Sequence, residues 1–167
     1  MGPPGRPKGE YRKAQPEGTS VSPPEAGGVA AYAIKAAIDD PGAATFEFPR
    51  AKTMYGGKRI AAGDTIYLFH SENAGGHGLI ARAVVVAAQA LPLRPGVERQ
   101  TPCVSLRVRR VADARRPLGR VELKPFAGRP ADEGPEAELH FKFYRQATDK
   151  VVGLGEAAAA FLMEACR

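Results

Sequence analysis

The chain has 167 residues, 44% of them hydrophobic and 25% charged, which is the composition of one ordinary globular domain with enough apolar residues for a core. No apolar run approaches the roughly 18 residues that a membrane helix needs, and the basic N-terminus lacks the apolar stretch of a secretory signal. A membrane protein and a secreted one are therefore not expected, and the expected location is the cytoplasm. The net charge of +6 is unevenly spread: Arg94 to Arg129 holds ten Lys and Arg against Glu98, Asp113 and Glu122. A basic segment of this kind suits a polyanionic partner, most commonly nucleic acid, although a GC-rich genome produces the same Ala, Gly, Pro and Arg bias without one. Cys103 and Cys166 are far apart, fit no metal spacing, and read as reduced small hydrophobes.

In chain order, residues 1–28 hold twelve Pro and Gly and almost no large apolar side chain. Such a stretch cannot bury enough surface to offset its ordering entropy, so it reads as a disordered basic tail before a domain at 29–167. Val29 to Ile38, between Gly27-Gly28 and Asp39-Asp40-Pro41-Gly42, is expected as a strand. An apolar and aromatic stretch with Phe46, Phe48 and Tyr55 follows, with a helical turn expected between Pro49 and Ile60. Thr65 to His70 is β-branched and aromatic and apolar on both faces, hence a central strand. Gly78 to Ala88 pairs with it across the 71–77 loop, where Gly75, Gly76 and Gly78 permit a positive φ or a close backbone approach. In Cys103 to Val111 the alternation puts Val104, Leu106 and Val108 on one face, with Ser105, Arg107 and Arg109 on the other. Leu118 to Phe126 and Ala137 to Arg145 read as two further strands. Ala158, Phe161, Leu162 and Ala165 have the spacing of a closing helix. About six strands with little helix before the end imply an α+β fold, a small antiparallel β-barrel with peripheral helices.

The 70–77 loop concentrates chemistry: His70, Ser71, Glu72, Asn73 and His77 lie among three glycines. His70, Glu72, His77 and His140 are residue types that suit zinc, but their spacing matches no metal motif, and no metal or other cofactor is expected. No phosphate-binding glycine loop, dinucleotide fingerprint or nucleophile elbow is present.

With these residues in view, "AGDTIYLFHSENAGGHGLIARAVVV" resembles the PUA-like superfamily, most closely its EVE and YTH-type domains. The matching features are Gly63-Asp64, the apolar run Ile66 to Phe69, the His70-Ser71 turn and the return Gly78 to Val84. Lys35 in "YAIKAAID" and the late segment "FYRQATDKVVGL" follow the same order, and the likeness spans roughly Val29 to Arg167. It implies a non-catalytic reader that takes a nucleobase, modified or not, into an aromatic-walled pocket of a PUA-like barrel. Base stacking of that kind contributes roughly 1–3 kcal/mol per base. The residues it would assign to the base pocket are Lys35, Phe46, Phe48, Tyr55, Phe69, His70, Ser71, Glu72, Asn73, His77, Arg145 and Gln146. The phosphates of a DNA or RNA partner would meet Arg107, Arg109, Arg110, Arg115, Arg116, Arg120 and Lys124. The chain has no Trp, which pockets of these families commonly use, so the walls must come from Phe46, Phe48, Tyr55, Phe69, Phe143 or Tyr144. Two other classes stay open. An ASCH-like hydrolase or nuclease would bury Lys58 or Lys35 in the pocket beside a carboxylate. A protein-interaction module would expose an apolar patch instead of a basic-rimmed pocket.

Overall fold

The computed structural model describes residues 29–146 and 150–167. The tail at 1–28 expected from its composition lies outside them. Six strands close into a barrel in the order β1-β3-β4-β5-β2-β6, with β1 at Ala31–Ala36, β2 at Thr45–Met54, β3 at Thr65–His70, β4 at Gly78–Ala90, β5 at Cys103–Asp113 and β6 at Lys150–Leu154. The small barrel with peripheral helices is as expected. Its pairing is mixed, however, since β1 runs parallel to β3 and β2 parallel to β6, while the other pairs are antiparallel. Hairpin signals report only the strands that are neighbours in sequence and leave these crossovers invisible.

Two segments expected as strands are helical. In Leu118–Phe126 the helix α1 (Arg120–Leu123) starts at Gly119, whose N–H donates to the Glu122 carboxylate at 2.8 Å, and a 3-10 turn at Lys124–Phe126 follows. In Ala137–Arg145 the apolar residues at every second position imitate a strand. Pro135 and Glu136 instead open helix α2 (Pro135–Phe141), which widens into a π-helical turn at Lys142–Gln146. The large side chains buried there are Leu139 and Phe143, four residues apart as on a helix. The sixth strand is Lys150–Leu154, within the late segment matched to the family, and helix α3 (Glu156–Ala165) closes the chain as expected. Residues 45–54 form β2, with a register shift between Phe48 and Ala51 that accommodates Pro49. The expected helical turn is the 3-10 turn Gly57–Arg59.

Two cores result from strand alternation. The barrel interior holds Tyr32, Ile34, Ile66, Leu68, Ala83, Val85, Val104, Leu106 and Val108. The opposite face of β1, β3 and β6 presents Ala31, Ala33, Tyr67, Phe69, Val152 and Leu154 to Leu123, Leu139, Phe143, Ala158 and Leu162 of the helical layer. β3 is thus buried on both faces. Cys166 is a free, fully buried thiol whose pKa burial pushes up to about 11, and Cys103 is also free. Among the described residues no helix is long and apolar enough to cross a membrane.

The turn after β3 is docked on the segment before α1. Gly78 bridges Leu118, and the Leu79 N–H donates to the Leu118 carbonyl at 2.9 Å. Gly78 has φ +92°, and a Cβ there would sit 2.3 Å from the Leu118 oxygen. Gly78→Ala meets both the left-handed backbone and this contact. It should destabilise the domain by about 2 kcal/mol and lower Tm by roughly 4–8 °C in a thermal unfolding measurement.

Candidate nucleic-acid interface

The 71–77 loop is a short built structure. Ser71, 3% exposed, caps the 3-10 turn Glu72–Ala74 by accepting the Asn73 N–H at 3.3 Å. Gly75 then takes a positive φ, and Gly76 packs so closely on His70 that a Cβ would lie 2.4 Å from the imidazole Cγ. Ser71 is therefore occupied by its own turn, whereas Asn73 and His77 are exposed and His70 is half-buried.

Glu72 is the centre of the site. Its Oε2 accepts the Arg120 N–H at 2.7 Å and the Tyr144 hydroxyl at 2.8 Å. Its Oε1 is buried and has no hydrogen-bond partner among the described residues. Arg120 also reaches Asn73 Oδ1 from its guanidinium at 3.4 Å. The Lys35 ammonium, on a side chain 2% exposed, lies 4.2 Å from the centre of the Tyr144 ring, and the Arg120 guanidinium lies 5.9 Å from the same ring. Burial pushes the Glu72 pKa up, but the Arg120 amide, the Tyr144 hydroxyl, its own amide and the Lys35 charge together hold it below the ordinary carboxylate value. Tyr144 is held strongly protonated, first by burial and then by donating to Glu72. The His140 ring sits 5.9 Å from that of Tyr144, with its pKa lowered by burial and by Arg145.

The residues expected at a base pocket divide accordingly. Lys35, Glu72 and Asn73 come together around Tyr144, with His70 and Ser71 in the strand end and turn that lead into them. The expected aromatic walls do not join them. Phe46 is buried against the barrel interior, and Phe48 packs partly on the same core. Tyr55 ends β2 beside Phe141 and Lys142. Phe69 is fully buried with its ring 4.9 Å from that of Phe143, so it is core, and its truncation, costing about 3–5 kcal/mol, would probe the fold. Arg145 is exposed over the Phe141 ring, and Gln146 ends the π-helical turn. Tyr144, from sequence only one of six aromatic candidates for a wall, is the one at the centre; its place depends on the helical register of 135–146, which a strand reading of the same residues turns the wrong way.

The expected phosphate stripe is also divided. Arg120 joins Glu72. Arg107 pairs with Glu47 at 3.4 Å, and Arg109 is exposed on the same face of β5. Arg110 is tied to the carbonyls of Ala43 and Pro41 and to Asp113, over the Phe46 ring. Arg115 is exposed at the end of α3, and Arg116 lies over the Phe161 ring. Lys124 is exposed after α1. Lys58 is exposed on its 3-10 turn, so of the two lysines proposed for a hydrolase only Lys35 is buried near a carboxylate. Among the described residues no three His, Cys, Asp or Glu gather into a metal-holding group.

Comparison of the sequence with protein-family models and with curated proteins finds no match. The fold does match solved structures. One is the DUF55 domain of human thymocyte nuclear protein 1, at TM-score 0.55 and 17% identity over 81% of this chain and 97% of that one. Human THYN1 protein in complex with DNA containing 5-methylcytosine matches at TM-score 0.53 and 15% identity, over 80% and 95% of the two chains. Rpa0253 from Rhodopseudomonas palustris matches at TM-score 0.51 and 19% identity, over 81% and 92%. The chain has the PUA-like barrel fold. At these identities the likeness is one of fold.

Because the Glu72 pKa is lowered on folding, its contribution to stability is full above the unfolded carboxylate pKa and is lost as pH falls through the lower folded value. Tyr144→Phe removes one donor to that charge. It should cost about 1.5 kcal/mol at neutral pH in urea unfolding, with the difference from the parent protein narrowing as the solution is acidified below the carboxylate range.

Proposed function

We propose that this chain is a non-catalytic nucleic-acid-binding module that reads a nucleobase at the cluster around Glu72. The observation that carries this is the divided carboxylate. Oε2 is anchored by Tyr144 and Arg120, while Oε1 is buried and has no partner among the described residues. A buried acceptor left unpaired is costly, and a donor from a ligand would relieve it. An exocyclic amine such as cytosine N4 is the base group that carboxylates accept from. The basic balance of the chain suits a DNA or RNA partner. A structure of the same fold with DNA containing 5-methylcytosine supports extending the reading to a modified base; the kinship to EVE and YTH-type readers is part of the proposal. His70 and Asn73 would stand at the rim. The expected cytoplasmic location is part of this proposal.

A second reading rests on Lys35, buried with its charge acting on Glu72, as expected for an ASCH-like hydrolase. Water would then cleave an amide or phosphodiester at the same cluster.

Both are tested with matched DNA and RNA oligonucleotides, with and without a methyl group on one cytosine or adenine, using the parent protein and Glu72→Gln. In the variant the amide oxygen keeps Tyr144 and Arg120, and its NH2 presents donors where Oε1 presented an acceptor. The expected result is base-dependent binding that falls at least about tenfold in Glu72→Gln, or about 1.4 kcal/mol. Binding indifferent both to the base and to Glu72→Gln contradicts the base site. Absence of binding contradicts the nucleic-acid reading. Cleavage products seen by mass spectrometry, and lost in Lys35→Met, would replace the module by the hydrolase.

A further inference from the structure

We propose that the groove between β2 and the β4–β5 connection is the track for the phosphodiester backbone of the bound strand. This rests on the nucleic-acid reading above and supplies the phosphate contacts that the divided Arg stripe does not bring together. The groove encloses about 350 Å³ and is lined by Arg50, Lys52, Arg94 and Arg99, with Gln100 and Cys103 among its other walls and no carboxylate in its lining.

Three observations distinguish it from scattered surface charge. First, its cations are not neutralised by any carboxylate of the described residues. Arg107, Arg110, Lys142 and Arg167 each have a carboxylate partner, whereas none of the four groove cations forms an ion pair among the described residues. Second, the loop that carries two of them is held in shape. The Gln100 side chain accepts the Arg94 N–H at 2.7 Å and donates to the carbonyls of Arg94 at 2.7 Å and Val97 at 2.9 Å. Thr53 ties the loop's end to β2, its N–H and hydroxyl both donating to the Pro102 carbonyl at 3.0 and 2.8 Å. Third, the strand register relates the groove to the Glu72 cluster across the sheet. Lys52 pairs with Cys103 on one side and with Lys150 on the other. Lys150 is one residue beyond the Val151–Ile34 pair, at the level of Lys35, which itself pairs with Phe69 immediately before His70. Alternation puts Lys35 on the outer face with Ala31 and Ala33, and Lys150 on it with Val152 and Leu154. Two inter-strand steps from β1 to β2 are about 10 Å, a span that a few nucleotides of a single strand cover. A base at Glu72 thus leaves the phosphates beside it within reach of Lys150, Lys52 and the groove.

The test is the salt dependence of binding to a single-stranded oligonucleotide with one central cytosine, methylated or not. The proteins compared are the parent, the exposed-residue variant Arg50→Gln/Arg94→Gln/Arg99→Gln, the control Arg107→Gln/Arg109→Gln, and Glu72→Gln. At roughly 0.7 per phosphate contact for a single strand, the groove variant should lower the slope of log K against log salt by about 2. It should leave the ratio of affinities for the two bases unchanged, and the β5 control should alter neither. A slope unchanged in the groove variant, or lowered equally in the control, overturns the inference. If the slope falls as expected but neither base identity nor Glu72→Gln matters, the groove stands and the base site fails. If Glu72→Gln acts and the groove variant does not, the base site stands and the groove fails. Absence of binding by the parent protein overturns both.

Discussion

The carboxylate of Glu72 joins three pieces of chain that are distant in sequence. It belongs to the turn after β3, accepts the first N–H of α1 through Arg120, and accepts the hydroxyl of Tyr144 from the π-helical turn. These are charge-assisted bonds, stronger than neutral ones, and the low pKa of Glu72 expresses how well they hold the ionised form. The same geometry commits only one of the two oxygens. The segments that meet there, the β3–β4 turn, the stretch before α1 and the last turn of the α2 region, are arranged by the two cores beneath them. The acceptor left over is thus a consequence of the fold, on which the proposed base recognition depends.

The cores explain why those segments meet. β3 has apolar side chains on both faces because one lines the barrel interior and the other supports the helices. Phe69 and Phe143 lock the end of β3 to the helical layer directly below Tyr144. Gly78 allows Leu118 to approach the start of β4, which brings the amide of Arg120 to Glu72. The residues that define the site are positioned by neighbours that are themselves apolar or glycine.

The central hairpin, β1, β5 and the last helix were legible because their patterns are local: β-branched runs, clean alternation, and a 3.6-residue repeat. Glu72 and Asn73 stood out as site candidates because the loop groups them, and Lys35 of β1 through the family resemblance. Residues 118–126 and 137–145 were not legible: both are short helical stretches rich in apolar residues, and in 137–145 these fall at every second place and mimic a strand. Only the start signals, Glu122 reaching back to Gly119 and Pro135-Glu136, distinguish them. That error left Tyr144 undistinguished among the candidate aromatics. The aromatic residues were assigned as walls by type alone, and burial then sent Phe46 and Phe69 to the cores, where such side chains gain most. The Arg-rich segment was legible as charge but not as a surface, because ion pairs and folding direction decide which cations remain available. Arg110 is consumed by the loop at 41–43, whereas Arg50 and Lys52, before the segment, share a groove with Arg94 and Arg99.

The most direct measurement is the NMR signal of the Glu72 side-chain carboxyl carbon, followed while a short single-stranded oligonucleotide with one central cytosine is added. The comparison strand is identical but lacks that base. If Glu72 accepts from the base, its resonance shifts saturably with the first strand and stays in place with the second. An equal shift with both strands, or none with either while binding is seen elsewhere, would contradict base recognition at Glu72.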